Sequence, residues 1–223
     1  MSLQNPNLEI LMMAVDQLGD LSDKMVFLGG CATGLLITDN AAPPIRITKD
    51  VDAIVQVYSR GEYYRLSEKL KEKGFSEDTS DGAPLCRWIA KGVVLDVMPT
   101  DENILGFSNR WYESAVQEAN RFQLPNGNEI NLVPPAYFII TKLEAFEGRG
   151  KGDYMLSHDI EDIIAVLDGR PELLNEIKDS DRGLAKELKA RINDFLGDRK
   201  FIDSVYGHMP GDDVSQVRSG LVR

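Results

Sequence analysis

Apolar side chains recur with a helical period over residues 7–18, at Leu8, Leu11, Met12, Val15 and Leu18. Met25 to Leu28 then reads as a short buried strand that ends at Gly29-Gly30, and the chain re-enters a helix from Cys31 to Ile37. The stretch TDNAAPPIRI is rich in Pro and Asn and predicts a loop leading to a strand at 51–57. Glu62 to Lys73 is amphipathic, with Tyr63, Leu66 and Leu70 on one side and Gly74 closing it. Strands are predicted at 85–90 and 93–98, joined tightly by Lys91-Gly92. A short helix is predicted from Trp111 to Ala119. Residues 121–124 and 129–132 flank Pro125-Asn126-Gly127, a hairpin signal.

The pattern changes after Pro134-Pro135. Helical periodicity dominates at 135–147, 157–168, 171–178 and 183–196, with Pro135 and Pro171 placed as helix openers. The expected organisation is an α/β core over 1–133, a helical subdomain over 134–208 and a flexible tail from Met209 onward.

With 223 residues, 43% of them hydrophobic, the chain can bury a substantial core. The net charge of −11 argues against a protein coated in positive charge for general binding to nucleic acid or membranes. Two Cys and two His are too few for a disulfide framework or a zinc site. No basic region followed by an apolar stretch marks a secretory leader. No window approaches the ~18 apolar residues that a membrane span needs. The expectation is a soluble, cytoplasmic protein without a membrane partner.

Candidate chemistry enters with the segment TKDVDAIV. Alternate side chains of a strand share a face, so Asp50 and Asp52 point the same way while Val51 and Ala53 turn to the other side. Neighbouring carboxylates repel each other, and a divalent cation between them resolves the conflict. Oxygen ligands of this kind suit Mg²⁺, which takes one or two carboxylates plus substrate phosphates. Asp96 repeats the anomaly inside GVVLDVMP, an otherwise apolar run in which an unpaired charge is costly. Gly29-Gly30, at a strand end and before a helix, allows close backbone approach and offers N–H groups to phosphate oxygens. Three carboxylates on neighbouring strands downstream of such a turn form a phosphoryl-transfer arrangement.

Strand, Gly-Gly, helix, D-x-D and a later strand Asp together resemble the nucleotidyltransferase superfamily typified by DNA polymerase beta. The segments RITKDVD (with Arg46 and Thr48), KLEAFEGR (with Lys142, Ala145 and Arg149) and HDIEDI are similar to those of the AbiEii-type nucleotidyltransferases, toxin components of toxin–antitoxin and phage-abortive systems. The resemblance covers roughly residues 24–168. It implies a mixed β-sheet with flanking helices, followed by a helical subdomain. It also implies Mg²⁺ or Mn²⁺ at Asp50, Asp52 and Asp96, the last as ligand or base toward the acceptor hydroxyl. Gly29, Gly30 and Thr48 would contact the nucleoside triphosphate. Lys142 would reach a phosphate from the other wall, and Asp159 and Asp162 would orient nucleotide or acceptor. Where the family often has Lys before the first Asp of its last motif, this chain has His158.

The activity so implied is transfer of a nucleoside monophosphate to a hydroxyl on a tRNA end, a protein side chain or a small molecule such as an antibiotic. An antitoxin protein would be a partner. A catalytically inactive protein of the same fold, acting as a protein-binding module, is the alternative.

Overall fold

Alternation and turn chemistry build most of this chain, and the computed structural model describes residues 5–149 and 152–209. In order they form α1 (Leu8–Leu18), a 3-10 turn (Gly19–Lys24), β1 (Met25–Leu28), α2 (Gly29–Leu36), β2 (Asp50–Val55), α3 (Arg60–Glu72), β3 (Ser76–Glu77), β4 (Arg87–Ala90), β5 (Val93–Pro99), α4 (Glu102–Leu105), α5 (Tyr112–Gln117), β6 (Asn120–Gln123) and β7 (Glu129–Leu132). Five helices follow: α6 (Pro135–Arg149), α7 (His158–Gly169), α8 (Leu173–Asp179), α9 (Arg182–Gly197) and α10 (Arg199–His208).

Two compact units result. Of the described residues, one unit, the sheet unit, comprises 5–34 and 47–134; the other, the helical unit, comprises 35–46, 135–149 and 152–209. The chain therefore passes between units after Gly34, after Arg46 and after Pro134, and residues 1–133 are not contained in one unit.

The sheet unit holds one mixed seven-stranded sheet in the order β3-β4-β5-β2-β1-β7-β6. The β2–β5 and β1–β7 pairs are parallel and the other four are antiparallel. β2 and β5 lie near the centre, and their alternation is clean. Val51, Ala53, Val55, Val93, Leu95 and Val97 are buried on one face, and α1 supplies Leu11, Ala14, Val15 and Leu18 to the core. Asp50, Asp52, Val94, Asp96 and Met98 occupy the other face.

In the helical unit α6 starts on Pro135, whose missing N–H costs nothing at a first helical position. Ala136, Phe138, Ile139, Ile140, Leu143 and Phe146 are all buried, so α6 is the unit's central helix, packed by α7, α8 and α9. Phe146, Tyr154, Phe195 and Phe201 form an aromatic cluster with centroid spacings of 5.0–5.7 Å. The Pro-rich loop belongs here. The Thr38 and Asp39 amides both donate to the Gly169 carbonyl at 3.0 Å, and Arg170 donates to the Leu36 carbonyl at 2.7 Å. A Cβ on Gly169 would meet Ile37 at 2.9 Å, so a glycine lets the loop pack against the end of α7.

Differences from the sequence expectation are local. α2 begins on the glycines themselves rather than at Cys31, and β2 begins on Asp50. Pro171 precedes α8 in a turn instead of opening it, while α10 extends the helical run past Gly197. The tail expected from Met209 lies, beyond Met209 itself, outside the described residues. Among the described residues no helix is long and apolar enough to cross a membrane.

Candidate active site

The parallel register of β2 on β5 places Asp52 directly opposite Asp96, with Asp50 opposite Val94. β1 and β4 extend the same row, so Leu28, Asp52, Asp96 and Arg87 lie side by side across four strands. The three predicted acids thus share one face. Asp96 is 7% exposed, and Asp50 and Asp52 are half-buried.

Gly29 makes room for this cluster. Its φ of +70° is the left-handed conformation that glycine adopts without penalty. A Cβ there would come within 1.9 Å of an Asp52 carboxylate oxygen, so the Asp52 side chain lies directly against the turn at the start of α2. The positive end of a helix dipole favours a carboxylate in that position.

Thr48 acts on the first acid. Its hydroxyl donates to Asp50 Oδ1 at 2.6 Å, while its amide donates to the Asn7 side-chain oxygen at 2.9 Å. The Asn7 amide nitrogen donates to the Gly30 carbonyl at 3.2 Å. Fully buried Asn7 therefore ties the glycine turn to the approach of β2. Nothing in the local sequence around Asn7 signals this role, because both of its partners are distant in the chain.

Arg87 is the second residue that the motifs do not reveal. Its Nε donates to Asp96 Oδ1 at 2.8 Å and its Nη2 to Asp96 Oδ2 at 2.7 Å; Nη2 also reaches Asp50 Oδ2 at 3.2 Å. The Asp96 hydrogen bonds, opposed by partial burial and helped by the Asp96 and Asp50 charges, fix the guanidinium in its charged form even more firmly than usual. A signal for Arg87 does exist. Lys91 and Gly92 both have positive φ, 45° and 85°, as a two-residue hairpin turn of the I′ kind requires. Counting back from that turn pairs Ala90 with Val93 and Arg87 with Asp96. Next to Arg87, burial and then the Asp96 and Asp52 charges push the Cys86 thiol up to about 12, which leaves it inert as a nucleophile.

Lys142, Asp159 and Asp162 form a separate constellation within the helical unit. Lys142, on α6, is buried rather than solvated, and its ammonium donates to Asp159 at 3.0 Å and Asp162 at 2.7 Å. The two acids, three apart on α7, share a helix face. Arg46 forks onto both oxygens of Asp162 at 2.9 and 2.8 Å. Arg149 binds Asp159 through two nitrogens, each at 3.1 Å. Burial works to raise the Asp159 pKa, but the Lys142 and Arg149 charges outweigh it and hold the carboxyl below its ordinary range.

The carboxylates of the sheet cluster are an all-oxygen donor set on one face, which fits a hard divalent cation such as Mg²⁺. With Arg87 bridging Asp50 and Asp96, no three His, Cys, Asp or Glu side chains among the described residues are gathered as a metal cage.

No family model and no curated protein matches the sequence. Among solved structures, an antigenic nucleotidyltransferase-like protein from Paracoccidioides brasiliensis superposes with a TM-score of 0.52 at 23% identity, over 92% of this chain and 93% of that one. Seven strands in mixed order, flanking helices and a match over nearly the whole of both chains lead to one conclusion: this protein has a nucleotidyltransferase-like fold.

Proposed function

We propose that the chain is a nucleotidyltransferase that moves a nucleoside monophosphate from a nucleoside triphosphate to a hydroxyl acceptor, with Mg²⁺ or Mn²⁺ held by Asp50, Asp52 and Asp96. The observation that carries this reading is the juxtaposition of Asp52 and Asp96 on adjacent parallel strands, with Asp50 on the same face and Gly29 against Asp52. Backbone N–H groups at the start of α2 are suited to triphosphate oxygens. Thr48 and Asn7 hold Asp50 and the glycine turn in place. In the reaction the acceptor hydroxyl would lose its proton to a carboxylate of the cluster, Asp96 being the candidate base, as its oxygen bonds to the α-phosphorus; the bond to the bridging oxygen breaks, and pyrophosphate leaves with that electron pair. A divalent cation bound to the acids would polarise the phosphate and offset the charge of the leaving group. The family resemblance also gives Lys142, Asp159 and Asp162 to nucleotide contact. Their polar atoms are engaged with one another and with Arg46 and Arg149, so the proposal rests on the glycine turn and the three acids.

The AbiEii-like segments support a finer reading, a cytoplasmic toxin acting on a tRNA end, a protein side chain or a small molecule and opposed by an antitoxin protein. The competing reading is an inactive protein of this fold that serves as a binding module, and it draws on Arg87, which already neutralises two of the three acids. Incubation of the purified protein with each α-labelled nucleoside triphosphate, Mg²⁺ and cell extract separates the two. Label that moves into a defined product with the wild type and not with Asp52→Asn supports transfer. No transfer from any of the four nucleotides in extract overturns it.

A further inference from the structure

The contacts of Arg87 carry one step more, which rests on the metal reading just given. A single nitrogen, Nη2, lies 2.7 Å from Asp96 Oδ2 and 3.2 Å from Asp50 Oδ2. Asp50 and Asp96 would be ligands of the cation, and the Oδ2 atoms they would offer are the ones that Nη2 occupies. Guanidinium and metal ion also carry like charge. We propose that Arg87 is a resident counter-ion of the acidic site, and that a divalent cation enters by displacing its Nη2 from between Asp50 and Asp96.

The surroundings suit an exchangeable contact. The side chains of Arg87 and Asp50 are 25% and 34% exposed, so the guanidinium has an outward path, while Asp96 at 10% is the fixed member. Asp52, on the far side of Asp96 in the cross-strand row, remains against Gly29. Three carboxylates on one face repel, and Arg87 relieves this repulsion in the cation-free protein. The same relief lowers the site's affinity for a free cation. Arg87 thereby sets the concentration at which the site loads.

Mn²⁺ alone, without nucleotide, is the probe. Its binding is followed by the electron paramagnetic resonance of the free ion for wild type, Arg87→Gln and Arg87→Lys. Removal of the unit charge that contacts the ligand oxygens at 2.7 and 3.2 Å should tighten Mn²⁺ binding by Arg87→Gln at least ~tenfold, with Arg87→Lys between the two. Equal or weaker binding by Arg87→Gln, with binding by wild type intact, overturns the displacement alone. Absence of Mn²⁺ binding by all three proteins overturns the metal reading with it. Should Arg87→Gln fail to fold, wild-type protein labelled with ¹⁵N-arginine decides. The Arg87 Nε–H resonance should shift and exchange faster with water as Mg²⁺ is added, and an unchanged resonance under saturating Mg²⁺ rejects the exchange.

Discussion

Asp52 and Asp96 face each other across neighbouring parallel strands, the arrangement in which like charges oppose pairing most directly. Asp96 is gripped by the Arg87 fork, so its replacement breaks that fork as well as relieving the repulsion. Asp52→Asn is expected to abolish nucleotide transfer, by about 10²-fold or more, while leaving the melting temperature equal or higher in the absence of divalent cation. Asp96→Asn should also abolish transfer, but it leaves Arg87 without its charged fork partner and should cost about 1–3 kcal/mol. Paired melting and labelled-nucleotide assays check both; a large stability loss in Asp52→Asn would assign it a structural role.

Gly29→Ala forces a Cβ into the Asp52 carboxylate and an L-residue into φ +70°. The backbone alone costs about 1–2 kcal/mol. Since Asp52 must move as well, transfer should fall further than the stability loss accounts for. The check is residual activity measured well below the melting temperature of the variant.

Asn7→Ala removes the side-chain acceptor of the buried Thr48 amide and the side-chain donor to the Gly30 carbonyl, which lies in the first turn of α2. The Thr48 amide left unsatisfied costs about 1–3 kcal/mol. Asn7→Asp keeps the acceptor for Thr48 but turns an oxygen toward the Gly30 carbonyl, so it should not restore stability. Urea denaturation of both variants measures this, and rescue by Asp would show that only the Thr48 bond matters.

Lys142→Ala leaves Asp159 and Asp162 buried with one cation fewer, and breaking a buried pair from one side costs about 3–5 kcal/mol. A drop of that size in denaturation, with the affinity for nucleoside triphosphate unchanged in the folded fraction, is the expected result. Weakened nucleotide affinity at unchanged stability would give Lys142 the ligand role implied by the family resemblance.

Asp159 gives a pH signature. Its folded pKa is depressed, so the stabilisation it provides is fully present above the unfolded value of about 3.9 and is lost as pH falls through the lower, folded value. The gap in melting temperature between wild type and Asp159→Asn should therefore stay constant from neutral pH to about 5 and narrow below about pH 4. A gap independent of pH down to pH 3 would remove the charge pairing as its cause.

The acids were legible in the sequence because a strand's two-residue period makes a charge in an apolar run conspicuous, and Asp50, Asp52 and Asp96 are all of that kind. A glycine pair at a strand end is by itself more often only a turn, and Gly29 draws attention only because the paired acids follow it. Arg87 looks like an ordinary surface cation until the hairpin register is counted, and the amide of Asn7 acts on residues 23 and 41 positions away. Lys142 was visible as a residue but not as a buried one. Nothing in an isolated helix pattern shows that α7 will present two acids to it. The two-residue β3 and four-residue α4 are too short for any period to register.

The division of the chain has a consequence for the order of events during synthesis. Among the described residues the seven strands lie between Met25 and Leu132, so the sheet can close before the helices of the second unit have been made. Residues 35–46 emerge among those strands, yet their partners Gly169, Arg170 and Asp162 come much later; Arg46 and Asp162 are 116 residues apart. At ribosomal speeds of about 5–20 residues per second, the Pro-rich loop waits on the order of ten seconds for α7. Pro43 and Pro44 have fixed φ and no N–H to donate to a strand ladder, which disfavours pairing of the waiting loop with the sheet.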